Sequence, residues 1–139
     1  MSERPLRPKP LPTPTAITKP FWEATKRHKL VLQRCAACQQ YVFYPRPFCP
    51  ACGSSDLAWT DVSGKGTVYS YTVARRPTSR AFEADVPYVI AIVELDEGPR
   101  MLSNVVGCAP EDVRCGMAVV AEYEDASDEI TLVKFRPAG

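Results

Sequence analysis

Two Cys-x-x-Cys pairs, Cys35/Cys38 and Cys49/Cys52, stand ten residues apart in the stretch LVLQRCAACQQYVFYPRPFCPACGSSD. Each pair fits a tight turn that aims two sulfurs at one ion. Residues 39–48 are long enough for a strand excursion that brings the second turn opposite the first. The spacing therefore predicts a tetrahedral four-sulfur site with a structural role, because four protein ligands leave no position for water or substrate. Zinc (Zn2+) is the expected ion, and iron takes the same ligand set. A redox dithiol or two disulfides are the other chemistries open to these cysteines, but the first needs only one pair and the second an oxidising compartment. Gly53, directly after the second pair, gives the backbone freedom such turns need. Cys108 and Cys115, the other two of six cysteines, lack that spacing and read as packed or exposed thiols.

A chain of 139 residues is one ordinary domain or two small modules, which excludes a large multidomain enzyme. Its longest apolar stretch, Val86–Val93 with Pro87 inside it, is far below the roughly 18 residues of a membrane span. The Pro- and Arg-rich N-terminus has no apolar leader segment. The expectation is a cytoplasmic protein with no membrane association. The net charge of +1 conceals a division: residues 1–53 carry nine Lys/Arg against two Asp/Glu, whereas residues 54–139 carry eight against fourteen. The basic half suits phosphates or an acidic partner, and the acidic half is a poor platform for nucleic acid.

Residues 1–17 hold Pro5, Pro8, Pro10, Pro12 and Pro14, which forbid helix and favour an extended arm. Thr18 is placed to cap a short helix with Pro20 in its first turn, carrying Phe21 and Trp22 and ending near Leu30. The adjacent aromatics are read as core rather than as a ligand cage. Residues 18–56 thus form a helix and ribbon. Residues 57–139 form a barrel with strands at Gly66–Arg75, Tyr88–Leu95, Arg100–Val106, Met117–Asp125 and Glu129–Phe135. In the first, Tyr69, Tyr71 and Val73 alternate with Val68, Ser70 and Thr72. Gly64 and Gly66 open it with the permissive backbone a coiled strand needs. Five short strands fit an oligonucleotide/oligosaccharide-binding (OB) barrel. The fold expected is mainly β: a short helix, a rubredoxin-like ribbon and a five-stranded barrel.

Several motifs occur together and in order: Phe21-Trp22, Leu32-Gln33-Arg34-Cys35, Tyr44-Pro45-Arg46-Pro47, Ser63-Gly64-x-Gly66-Thr67-Val68-Tyr69-Ser70, Pro87-Tyr88, Val93-Glu94-Leu95-Asp96-Glu97-Gly98 and Phe135-Arg136-Pro137. This order resembles the zinc-ribbon OB-fold proteins associated with acyl-CoA enzymes, over residues 18–137. Where that family often has Glu-Gly-Arg-Leu after the aromatic helix, this chain has Arg27-His28-Lys29-Leu30, a difference bearing on the geometry of that turn. The resemblance implies a small non-catalytic subunit of a thiolase, aldolase or acyltransferase, with acyl-CoA bound at a shared site.

The residues themselves agree with an accessory role. The one histidine, His28, sits among cations, no nucleophile–base order is present, and the carboxylates fall in turns and strand ends. The expected contacts to partner or acyl-CoA are Phe43 and Arg46 on the ribbon and Tyr69, Arg75 and Arg76 on the first barrel strand. Part of the Tyr41–Tyr44 run is expected to pack on the barrel and part to face the partner. The competing class is a single-stranded nucleic-acid module with Tyr69 and Tyr71 stacking bases, disfavoured by the acidic barrel half. An independent hydrolase would need Cys108 or Cys115 as nucleophile, and neither has a basic neighbour beyond Arg114.

Overall fold

The computed structural model of the chain describes residues 9–138. One helix and eight strands follow in order: α1 (Lys19–Lys26), β1 (Val31–Cys35), β2 (Tyr41–Val42), β3 (Leu57–Asp61), β4 (Lys65–Ala74), β5 (Tyr88–Leu95), β6 (Arg100–Val105), β7 (Ala118–Asp125) and β8 (Thr131–Pro137). They form a three-stranded sheet ordered β2-β1-β3 and a closed barrel ordered β4-β5-β6-β8-β7. The mainly β architecture and the five-stranded barrel expected from the sequence are both present.

Helix α1 carries Pro20 in its first turn, where a missing N–H costs nothing, and buries Phe21, Ala24 and Thr25. Thr18 occupies the N-cap position without a side-chain cap bond. Its hydroxyl instead accepts the Thr15 N–H at 2.8 Å, so it ties down the arm rather than the helix. The helix stops at Lys26, short of Leu30, because His28 adopts the left-handed conformation at φ 56°. The Arg27-His28-Lys29-Leu30 segment, where the chain departs from the Glu-Gly-Arg-Leu pattern, forms this turn with histidine in the left-handed position. Residues 1–8 of the Pro-rich arm lie outside the described residues, and residues 9–15 take no regular structure.

The expected ribbon–barrel division at 56/57 falls just before β3. That strand pairs along its whole length with β1, from Val31↔Asp61 to Cys35↔Leu57, so it completes the ribbon sheet, and the barrel begins at Lys65. The two parts nevertheless share one core. Phe21, Leu30 and Leu32 from the helix and β1 pack in the same cluster as Val68, Val93, Val119 and Phe135 of the barrel. A second, much smaller cluster of Cys35, Val42 and Cys49 lies at the far end of the ribbon.

The alternation read along β4 is interrupted. Val68 pairs with Val93 and Ser70 with Ile92, so Tyr69 is an extra residue in a bulge. The bulge puts Tyr71 and Val73 opposite the buried Ala91 and Val89, on the side that Val68 faces, and leaves Tyr69 half-exposed with the Arg100 guanidinium 3.8 Å from its ring centre. Beyond Thr67 the pairing with β7 ends, which is why the outer half of β4 is exposed although alternate residues of its partner β5 are buried.

Gly64 and Gly66 have different reasons for being glycine. Gly64 has φ +75°, a left-handed turn, whereas a Cβ on Gly66 would lie 2.5 Å from the Glu94 carbonyl oxygen and 2.9 Å from Val93 Cγ1. Gly66→Ala must push β4 away from β5, and a loss of about 1–3 kcal/mol is expected. A lower urea midpoint at unchanged m-value would show it, and a midpoint equal to that of the parent would refute the close approach.

Candidate metal centre and the adjoining groove

The two Cys-x-x-Cys turns are built alike. In the first, the Cys35 N–H donates to the Gln40 carbonyl and the Gln39 N–H to the Cys35 carbonyl. In the second, Cys49 N–H donates to Ser54 and Gly53 N–H to Cys49, all at 2.8–2.9 Å. The residue after each pair is left-handed, Gln39 at φ 67° and Gly53 at φ 78°. Gln39 tolerates this with its side-chain amide donating to the Ala36 carbonyl at 2.9 Å. β1 and its partner strands carry the two turns to face one another.

The four sulfurs lie within 4.8 Å of one another, with Cys35–Cys52 at 3.5 Å and Cys38–Cys49 at 3.7 Å. A regular tetrahedron with metal–sulfur bonds of about 2.3 Å has edges of roughly 3.8 Å, so the donor set fits one tetrahedral ion. The charges agree. The Cys38 N–H favours the Cys35 thiolate and, against burial, brings its pKa from 9.0 down to about 7. The Cys52 N–H likewise lowers Cys49. For Cys52 the Ser54 N–H favours the thiolate, but the Cys35 sulfur, burial and the other two sulfurs outweigh it and push the pKa up to about 12. Cys38 is raised in the same way despite the Gln40 N–H. Without a cation, each pair thus holds one sulfur that ionises readily and one that resists. A dication supplies the charge that lets all four ionise.

Gln33, part of the Leu32-Gln33-Arg34-Cys35 motif but given no role by the sequence, is a polar residue buried in β1. Its amide donates to the Arg46 carbonyl at 2.9 Å and its oxygen accepts the Arg46 N–H at 2.8 Å, which clamps the loop after β2 beside the metal turns. The available signal was a glutamine directly after the apolar Val31-Leu32 in β1, VLQRC. His28 is also structural. Its Nε2 lies 3.0 Å from Asp125 Oδ1 and its ring stacks on Tyr123, linking the helix end to the β7–β8 hairpin. The Thr131 hydroxyl, donating at 2.7 Å, and then His28 hold the Asp125 carboxyl below its usual range.

The Tyr41–Tyr44 run divides as its crowding required. Val42 is buried, Tyr41 and Phe43 pack against the main core, and Tyr44 is 52% exposed. Phe43 lies 5.9 Å from Phe21, which meets Trp22 edge-on at 5.0 Å. These aromatics form one wall of a groove of about 1160 Å³ between the helix, the ribbon loop and the barrel. Of the five expected contact residues only Phe43 lines it. Arg46, Arg75 and Arg76 are exposed elsewhere, Arg75 and Arg76 just past the end of β4, and Tyr69 sits in its bulge. Cys108 lines the groove, and burial, with the nearby Asp112 carboxylate adding to it, raises its pKa; Cys115 is exposed.

The ribbon with its four-sulfur cluster and the closed five-stranded barrel define a class, a rubredoxin-like zinc ribbon joined to an OB fold. Residues 22–58 match the family model described as ChsH2, rubredoxin-like zinc ribbon domain, and residues 59–124 match ChsH2, C-terminal OB-fold domain. The chain belongs to this ChsH2, or DUF35, family. It is 48% identical over 136 residues, 96% of its length, to a protein of Thermomonospora curvata named probable enoyl-CoA hydratase alpha subunit, and spans 40% of that relative's length. It is 40% identical to a DUF35 domain-containing scaffold protein of Methanocaldococcus jannaschii, covering 87% of this chain and 90% of that one. Among solved structures, the Ltp2-ChsH2(DUF35) aldolase contains a chain that superimposes with a TM-score of 0.83 at 46% identity, covering 93% of this chain and all of that one. No helix among the described residues is long and apolar enough to cross a membrane.

Proposed function

We propose that the chain is a non-catalytic accessory subunit that binds a thiolase-like or aldolase-type acyl-CoA enzyme, stabilises it and helps hold acyl-CoA. The observation that carries this reading is the match, over the whole of the other chain, to the solved Ltp2-ChsH2(DUF35) aldolase. Relatives named scaffold proteins support the absence of catalysis, and relatives named hydratase subunits support the acyl-CoA class. The chain's own chemistry is consistent with it: His28 is engaged by Asp125 and Tyr123, and Cys108 is raised rather than activated. Zinc is the metal assigned to Cys35, Cys38, Cys49 and Cys52, where it would supply a cross-link and no reaction step. In the reducing cytoplasm, the compartment proposed for the chain, these thiolates stay available to the metal.

Phe43 and Arg46 on the ribbon are assigned to the partner contact, and Tyr69, Arg75 and Arg76 to the side meeting the CoA phosphates. Co-expression with a thiolase-like partner should give a complex that co-purifies and turns over acyl-CoA, while the chain alone is inactive. In that complex Phe43→Asp weakens assembly, and the Arg75→Glu/Arg76→Glu double variant raises the KM for acyl-CoA. Turnover by the isolated chain that is lost on mutating one of its own residues would overturn the accessory role. A wild-type KM in the double variant would remove the two arginines from the CoA site.

A further inference from the structure

The groove beside the helix has a chemical character that limits what can occupy it. Its floor reaches the core: Phe21, Val89, Met101 and Val105 line it and are each no more than 5% exposed. Its walls come from three separate parts of the chain, Trp22 on α1, Phe43 and Tyr44 on the ribbon loop, and Phe82 and Tyr88 around the start of β5. Among the described residues, four charged side chains line it, and they form two ion pairs, Lys9–Asp85 and Lys134–Glu124 at 2.9 Å. The polar side chains of β6 in the groove are also engaged. The Ser103 hydroxyl donates to the Val133 carbonyl at 2.7 Å and the Asn104 amide to the Val89 carbonyl at 2.8 Å. Among the described residues that line the groove, no cation is left over for a phosphate. A concave site with an aromatic wall, a core floor and compensated charge takes an uncharged apolar ligand in preference to a sugar or nucleotide.

We infer that this groove receives the hydrocarbon part of an acyl thioester, with the CoA phosphates remaining outside it. The inference rests on the acyl-CoA reading above for the thioester, while the apolar character of the ligand comes from the groove alone. The site requires both modules, because helix, ribbon loop and barrel each contribute a wall. That requirement gives the shared core of ribbon and barrel a functional consequence: loosening either module opens the groove.

The test uses the full metal-loaded chain without a partner, so it is independent of whether a complex forms. Straight-chain acyl-CoAs from butyryl to lauroyl, and free CoA, are titrated calorimetrically below their micelle concentrations. Free CoA should bind weakly or not at all, and affinity should rise about fourfold for each methylene that enters the groove. Leu102, which lines the groove and is 57% exposed, can be changed without disturbing the core. Leu102→Glu should lower lauroyl-CoA affinity by about tenfold or more with an unchanged melting temperature. Tyr44→Glu, on the ribbon-loop wall, should do the same. Affinity independent of chain length, free CoA binding as tightly as lauroyl-CoA, or parent-like binding by both variants overturns the inference. So does loss of partner assembly in Leu102→Glu with no chain-length dependence, which would mark the groove as a protein seat. A chain that shows the length series but captures no thiolase-like enzyme keeps the groove and overturns only the partner assignment.

Discussion

Freshly purified Cys38→Ser protein should contain no stoichiometric zinc and should lose structure from about residue 35 to residue 57 while its barrel stays folded. The reason is the unequal division of apolar burial. The far end of the ribbon has only Cys35, Val42 and Cys49 buried, with Cys38 and Leu57 packed on them, and two of the three belong to the four-sulfur cluster. So small a cluster cannot offset the conformational entropy of the loops it orders. In small zinc modules the apparent metal-binding free energy, about 10–16 kcal/mol, is in effect the folding free energy. The near end is different, because Phe21, Leu30 and Leu32 are held in the barrel core whether or not metal is bound. Amide exchange should therefore become fast around Cys35–Gln40 and Cys49–Leu57 and remain slow in β5, β7 and β8. Loss of protection in all these elements together would mean that ribbon and barrel unfold as one cooperative unit.

The largest single-site effect expected in the barrel is at Phe135. Its side chain is fully buried, and its strand closes the barrel: Phe135 is paired with Ala121 of β7 and with Val105 of β6, and its carbonyl accepts the Val106 N–H at 2.7 Å. The Val105 pairing is the one parallel register position that joins β6 to β8, and beside it the seam is held by the Val106 N–H and the Ser103 hydroxyl, which donate to the Phe135 and Val133 carbonyls. Phe135→Ala removes the packing and leaves a cavity beside that seam, with an expected loss of about 3–5 kcal/mol. Against a typical total of about 5–15 kcal/mol, that is enough to leave an appreciable unfolded fraction. Phe135→Leu should recover most of it. Denaturant midpoints of the two variants separate the cases, and an alanine variant within about 0.5 kcal/mol of the parent would show that the seam does not depend on this ring.

The ribbon was legible because its determinants are local. Metal-ligand chemistry fixes the residue type and the turn fixes the spacing, so four cysteines in two pairs identify their own structure. The barrel strands were legible for a similar reason: β5 keeps strict alternation, with Val89, Ala91, Val93 and Leu95 buried and the residues between them partly exposed. Tyr69 was harder. Alternation along the strand groups it with Tyr71, and only the register against β5 reveals the bulge that separates them. A bulge is decided by how a curved strand must meet its partner, which leaves no periodic trace in one strand.

His28 shows the same limit across a longer distance. By composition it is one basic residue in a basic run, and the partner that defines its role is Asp125, 97 residues away. The sequence by itself determined the two Cys-x-x-Cys turns that bring four sulfurs together and the presence of a small closed barrel, since both follow from residue types at short spacing. Tertiary structure alone decided that β3 belongs to the ribbon, that helix, ribbon and barrel share a core, and that a charge-compensated apolar groove lies between them. Those features arise where surfaces distant in sequence are brought together, and which surfaces meet is settled by packing and strand register rather than by any local pattern.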